Sequence, residues 1–196
     1  MKKNEIIWRE LLFQSVERRQ SRFVQQELAE KFGFSTSTVH QALKVLRQMG
    51  AVKVGGRGFR VVDPEKILFH WANDRRLTAE IKQATFVDLP ILEIEGQLPN
   101  GTMPTAYTAV RERFGEAPAD YSKVYVYHQD INSMKERFPV NSKTSNLLVL
   151  QADPWLDEYG DQVTLAQLFV DLWNLTDWYA KPFVERVKEE INELLS

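Results

Sequence analysis

The chain has 196 residues, with 25 Lys+Arg against 27 Asp+Glu, three His and no Cys. This length admits one or two domains at about 100–200 residues each and suffices for a core without covalent or metal staples. The lack of Cys excludes a disulfide scaffold, thiolate zinc, iron–sulfur clusters and a cysteine nucleophile, and no apolar run reaches the ~18 residues of a membrane span. The charged start Met1-Lys-Lys-Asn-Glu5 runs into an amphipathic segment, not a signal-peptide core, so a cytoplasmic globular protein is expected.

The formal net charge of −2 hides a split. Residues 1–76 carry 15 Lys+Arg and 8 Asp+Glu, a net of +7. Residues 77–196 carry 10 and 19, a net of −9. A basic module joined to an acidic one places a polyanion partner at the N-terminal part.

In chain order, residues 4–18 read as a helix, with Ile6, Ile7, Leu11 and Leu12 as its apolar stripe. Arg18–Arg22 is a polar break. A short helix follows over Val24–Phe32, stopped by Gly33, because glycine enters the left-handed conformation without penalty. Ser35 is an N-cap for a third helix, Thr36–Met49. Its apolar face is Val39, Ala42, Leu43, Leu46 and Met49. The period then changes. Ala51–Val54 and Phe59–Val62 flank Gly55-Gly-Arg-Gly58, a hairpin with a glycine-rich tip. Asp63-Pro-Glu65 opens a fourth helix that buries Ile67, Leu68, Trp71 and Ala72. Its end at Asp74-Arg-Arg76 is the expected domain boundary.

The second part mixes elements. Thr85–Ile94 reads as a strand interrupted by Pro90, and Gly96–Met103 as a loop. Pro104–Phe114 is expected to be helical, Ser122–Tyr127 a strand, Ile131–Phe138 a helix and Asn146–Leu150 a strand. Asp153-Pro154 caps a helical turn. Thr164-Leu-Ala-Gln167 is a capping box opening a helix over Leu165–Leu175, and Tyr179–Leu195 is a closing helix. The expected fold is α+β: a small basic N-terminal domain over 1–76, and an acidic, aromatic-rich mixed α/β domain over 77–196 for regulation or partner binding.

Three helices followed by a glycine-tipped hairpin is the plan of a winged helix-turn-helix. The first turn of a helix that enters the major groove needs short, hydrogen-bonding side chains, and Ser35-Thr-Ser-Thr-Val-His-Gln41 meets that need. With Val39, Ala42, Leu43 and Leu46 inward, Thr36, Ser37, His40, Gln41 and Lys44 are the candidate base readers. Gln pairs bidentately with adenine, and a Thr methyl meets the thymine methyl. Arg22, Ser35, Thr38, Arg47, Lys53, Arg57 and Arg60 are the candidate backbone and wing contacts, Arg57 at the tip reaching the minor groove.

Phe34-Ser-Thr-Ser-Thr-Val-His-Gln-Ala-Leu43 and Leu46-Arg-Gln-Met-Gly-Ala-Val52 resemble the reading helix and wing entry of bacterial and archaeal winged-helix transcription regulators. The wider chain is similar to the AbiEi-type antitoxins of type IV toxin–antitoxin pairs. Val61-Val-Asp-Pro-Glu-Lys-Ile-Leu-Phe-His-Trp-Ala72 and Val163-Thr-Leu-Ala-Gln-Leu-Phe-Val-Asp-Leu-Trp173 carry that likeness. The stretch from Glu95 to Ser145 carries no motif of its own. The resemblance implies repression of its own operon and a nucleotidyltransferase-like toxin as partner.

An enzyme is not expected. The three His are far apart, with no metal-ligand spacing. Asp153, Asp157, Glu158 and Asp161 lack the glycine of a calcium loop. There is no phosphate-binding P-loop and no nucleophile elbow. No cofactor and no metal are expected. The aromatic C-terminal segment supplies a core for the second part. Trp178 and Tyr179 are candidates for an exposed interface to a dimer mate or protein partner. Two further readings stay open: a repressor whose second part senses a small molecule, and an adaptor that binds only protein.

Overall fold

In a computed structural model covering residues 1–196, the chain is an α+β protein of nine α-helices and two small sheets. Helix α1 (Lys3–Leu12) continues into a π-helical turn over Phe13–Glu17. There the Arg18 N–H reaches back five residues to the Phe13 carbonyl, 3.2 Å. The wide turn brings the Glu17 carboxylate to the start of a distant helix, where it accepts from the Leu165 N–H at 2.9 Å and from Arg113 at 3.2 Å. A carboxylate at a helix N-terminus satisfies both a free N–H and the dipole.

Strand β1 (Arg22–Phe23) follows, where the sequence reads as a break. Helix α2 (Gln25–Phe32) ends on Gly33 at φ +61°, the left-handed stop expected of it. Helix α3 (Thr36–Gln48) starts on Ser35, whose Oγ accepts from the Thr38 N–H at 3.1 Å. Strands β2 (Val52–Gly55) and β3 (Gly58–Val61) form the hairpin, and β1 adds to its far side in the order β1-β3-β2. Gly58 permits that third strand. At φ +150° any Cβ would collide with the Phe23 carbonyl oxygen. Helix α4 (Pro64–Asp74) opens on Asp63, which accepts from the Lys66 N–H at 3.0 Å, with proline in the first turn.

The second sheet runs β4 (Ile81–Thr85), β7 (Leu147–Gln151), β6 (Val124–His128), β5 (Met103–Thr105). Strands β6 and β7 are parallel and joined through α7 (Ile131–Arg137); the other two pairings are antiparallel. The expected strand over Thr85–Ile94 is corrected. The strand ends at Thr85, and Ile91–Gly96 forms helix α5, begun by Pro90, whose carbonyl accepts from the Glu93 and Ile94 N–H groups at 2.9 and 3.0 Å. Proline here starts a helix rather than interrupting a strand. Pro104 likewise belongs to β5, and α6 spans Ala106–Phe114.

Period-2 alternation splits β6 between two buried layers. Val124 and Val126 pack with Ile94, Met134, Phe138, Leu147 and Val149 under α5 and α7. Tyr125 and Tyr127 turn the other way into the main core. Helix α8 (Leu165–Trp173) starts on Thr164, which accepts from the Gln167 N–H at 3.2 Å. The Gln167 side chain does not return the bond; its Oε1 accepts from Arg9 at 3.1 Å instead. Helix α9 (Ala180–Leu195) closes the chain.

The main core is one cluster of 46 buried residues that runs from Ile6 to Ile191. Residue 76 therefore divides the two charge blocks and the two sheets, while packing continues across it. Polar side chains bolt the same junction. Arg9, wholly buried, is held bidentately by Asp153, both contacts 2.7 Å. Arg75, placed by the sequence at a domain boundary, is also buried. It donates to Asp171 at 2.8 Å, to Glu5 at 3.0 Å and to the Tyr127 hydroxyl at 2.7 Å. Burial pushes the Glu5 and Asp171 carboxyls above the usual carboxylate range, and the Arg75 charge beside them opposes it.

Candidate nucleic-acid interface

Helix α3 buries Val39, Ala42, Leu43 and Leu46, so the opposite face is set by the 3.6-residue period. Thr36, Ser37, His40, Gln41 and Lys44 are all exposed on it, together with Gln48. None of their side chains is committed to a hydrogen bond within the chain, and Lys44 makes no ion pair. Ser35 and Thr38 are different. Their hydroxyls lie 2.9 Å apart, and Ser35 Oγ also holds the Thr38 N–H, so both serve the cap. Arg47 is half-buried, and its Nε is enclosed without a partner.

The small sheet organises the other cations. Arg22 is the cross-strand partner of Arg60, and Arg60 is the partner of Lys53. Directly paired residues project from the same face of a sheet. The three cations therefore form one rung, all exposed, backed on the inner face by Phe23 stacked on Phe59 at 5.5 Å. Like charges placed opposite each other destabilise a sheet, and none of the three has an acidic partner within ion-pair distance. Arg57 extends from the hairpin tip. Together with Arg22, Lys53 and Arg60 it lines a groove of about 530 Å³ that also holds one acid, Glu27. Register is what joins Arg22 to this set. The sequence names Arg22, Lys53 and Arg60 as candidate backbone contacts but supplies no signal for their pairing, because a two-residue strand has no periodicity to read.

Ser37 and Gln41 also border a second groove, about 520 Å³, with Asn4, Trp8, His70 and Asp74. The Asp74 carboxylate is paired with Lys2 at 3.2 Å. The His70 ring meets Trp8 edge-on at 4.8 Å, and burial lowers its pKa.

Of the two aromatic interface candidates, only Trp178 stands free, 85% exposed. Tyr179 is corrected to the core: its ring packs on Tyr107 at 4.9 Å and its hydroxyl lies 3.1 Å from Ser122 Oγ. Three of the four acids in the stretch after Ala152 are likewise engaged. Asp153 holds Arg9, Asp157 accepts from Gln129 at 2.8 Å, and Glu158 faces Lys31 at 3.8 Å. No group of three or more His, Asp or Glu converges as a metal site. Both His128 ring nitrogens are engaged, by Thr102 and Ser133, each at 3.2 Å. No helix is long and apolar enough to cross a membrane.

The chain matches no protein-family model, no curated protein and no solved structure.

Proposed function

We propose that the chain is a sequence-specific, duplex-DNA-binding transcription regulator of the winged-helix type. The observation that carries this reading is the unpaired rung Arg22–Arg60–Lys53. Three cations held side by side without a counter-charge lower the stability of the free protein and lose that cost against a polyanion. In this reading α3 enters the major groove. Gln41, His40, Ser37, Thr36 and Lys44 face base edges, and the rung with Arg57 lies along phosphates and the neighbouring minor groove.

The two sets of residues have separable signatures. Removing a phosphate contact weakens binding to every sequence and flattens the salt dependence by about one. Removing a base contact costs about 1–3 kcal/mol at the preferred site and leaves the salt slope alone. The test is fluorescence anisotropy with labelled duplexes over a salt series, for wild type, Arg60→Ala and Gln41→Ala. Arg60→Ala is expected to give the first signature and Gln41→Ala the second. Unchanged binding in both variants, or no binding of wild type at low salt, refutes the reading and favours the protein-only adaptor.

The resemblance to AbiEi-type antitoxins adds a setting to this proposal: autorepression of an operon that also encodes a nucleotidyltransferase-like toxin. A toxin gene beside this one, and rescue of growth when both are expressed, is the expected result.

A further inference from the structure

The turn that aims α3 is gripped from the second half of the chain. Phe32 and Phe34 flank Gly33 and stack on each other at 5.8 Å. The Trp155 ring closes on both, edge-on, at 5.6 Å from Phe32 and 5.3 Å from Phe34. Phe34 immediately precedes the Ser35 cap, so the Trp155 contact lies next to the first turn of α3, where Thr36, Ser37, His40 and Gln41 stand.

The segment that carries Trp155 is itself fixed to α1. Asp153 takes the Arg9 guanidinium bidentately and also accepts from the Trp155 N–H at 3.2 Å. The Tyr159 hydroxyl donates to Glu10 at 2.8 Å, and the Arg9 guanidinium sits 4.6 Å over the Tyr159 ring. Helix α1 then holds α3 at a second point. The Trp8 indole N–H donates to the Ala42 carbonyl at 3.0 Å. A helix gripped at its first turn and at its middle has its tilt and roll fixed, as base-edge hydrogen bonding requires.

We infer that Trp155 is a positioning residue for DNA reading: the segment Asp153–Tyr159 of the acidic half sets the pose of α3 by seating the Phe32–Phe34 turn. This rests on the DNA-binding reading above. It makes sequence discrimination depend on a residue that touches no DNA. The salt dependence, which comes from the rung on the small sheet, does not depend on it.

The experiment uses the full chain. A random-sequence duplex pool is selected with wild type. Binding of the enriched duplex and of the starting pool is then measured for wild type, Trp155→Ala, Trp155→Phe and Phe34→Leu at a temperature where circular dichroism shows each folded. Trp155→Ala is expected to cut the ratio of the two affinities at least about ten-fold, comparable to losing a base contact, with the salt slope on the pool unchanged. Trp155→Phe is expected to restore most of the ratio. A change confined to overall stability would scale both affinities together and leave the ratio intact, and that result overturns the inference. If Trp155→Ala does not fold, Phe34→Leu decides, because it removes the ring on the other side of the same contact. If wild type enriches no sequence, the DNA reading itself fails and this inference falls with it. If wild type enriches a duplex and the variants keep its ratio, only the positioning role is lost.

Discussion

Replacing Arg9 with alanine isolates the bolt between the two halves. The guanidinium is wholly buried, and its partner Asp153 is nearly so, at 6% side-chain exposure. The variant leaves a buried carboxylate without its counter-charge and frees the Gln167 Oε1 that Arg9 also holds. Breaking one partner of a buried pair costs about 3–5 kcal/mol, against a total stability of about 5–15 kcal/mol for a folded protein. Arg9→Ala therefore removes about a fifth or more of the stability of the whole chain. The assay is urea unfolding followed by tryptophan fluorescence and by far-UV circular dichroism. One shared core predicts that both probes move together to a lower midpoint. The control is Arg9→Met/Asp153→Leu, which replaces the pair by apolar side chains. It should recover most of the loss, since such replacements are often neutral or stabilising. A cost below about 1 kcal/mol for Arg9→Ala is the size of an exposed pair and refutes the buried-bolt account.

Three more predictions follow from particular residues. Glu5 and Asp171 have carboxyl groups raised above 4.5 and 3.8 by burial. Such groups hold protons more tightly when folded, so their contribution to stability is present at low pH and is lost as pH rises through the folded values. Urea midpoints measured upward from pH 4.5 should show this loss, and Glu5→Gln should make the profile flatter; an unaltered slope contradicts it. Gly58→Ala should push β1 off the hairpin, through the clash with Phe23 and the φ of +150°. The expected readouts are loss of slow amide exchange at Val61, whose N–H donates to Ser21 at 2.8 Å, and a smaller salt slope in DNA binding as Arg22 leaves the rung. Trp178→Ser, at an 85% exposed position, should change stability by no more than about 0.5 kcal/mol; a larger loss in a urea titration would show that the ring is packed.

The sequence is most legible where a local rule decides. Gly33, the Ser35 and Asp63 caps and the five-residue apolar stripe of α3 each depend on neighbours a few residues away, and each expected element is there. It misleads where two local signals compete. Pro90 among Leu89, Ile91 and Ile94 looks like a broken strand, yet proline also suits a helix start, where Pro90 is the cap residue of α5, and the strand lies at Ile81–Thr85. Buried charges are the least legible. Arg9 and Arg75 look like any basic residue, because Asp153 lies 144 positions from Arg9, and the buried acids Glu5 and Asp171 lie 70 and 96 from Arg75. For the candidate interface, the α3 face follows from periodicity. The rung does not, since it is created by a strand too short to recognise.

The reach of those bonds has a consequence in time. Arg9 meets Gln167 across 158 residues of chain. At about 5–20 residues per second of synthesis, α1 waits roughly 8–32 s for its partners. During that interval the hairpin and α3 can form, since their contacts are local, and α1 can close on α3 through Trp8 and Ala42, while Arg9 still lacks Asp153 and Gln167. The nascent chain thus acquires its cations early and the seat of the Phe32–Phe34 turn late. On the proposed DNA-binding reading, a ribosome-bound fragment ending before Asp153 is expected to hold DNA without choosing among sequences.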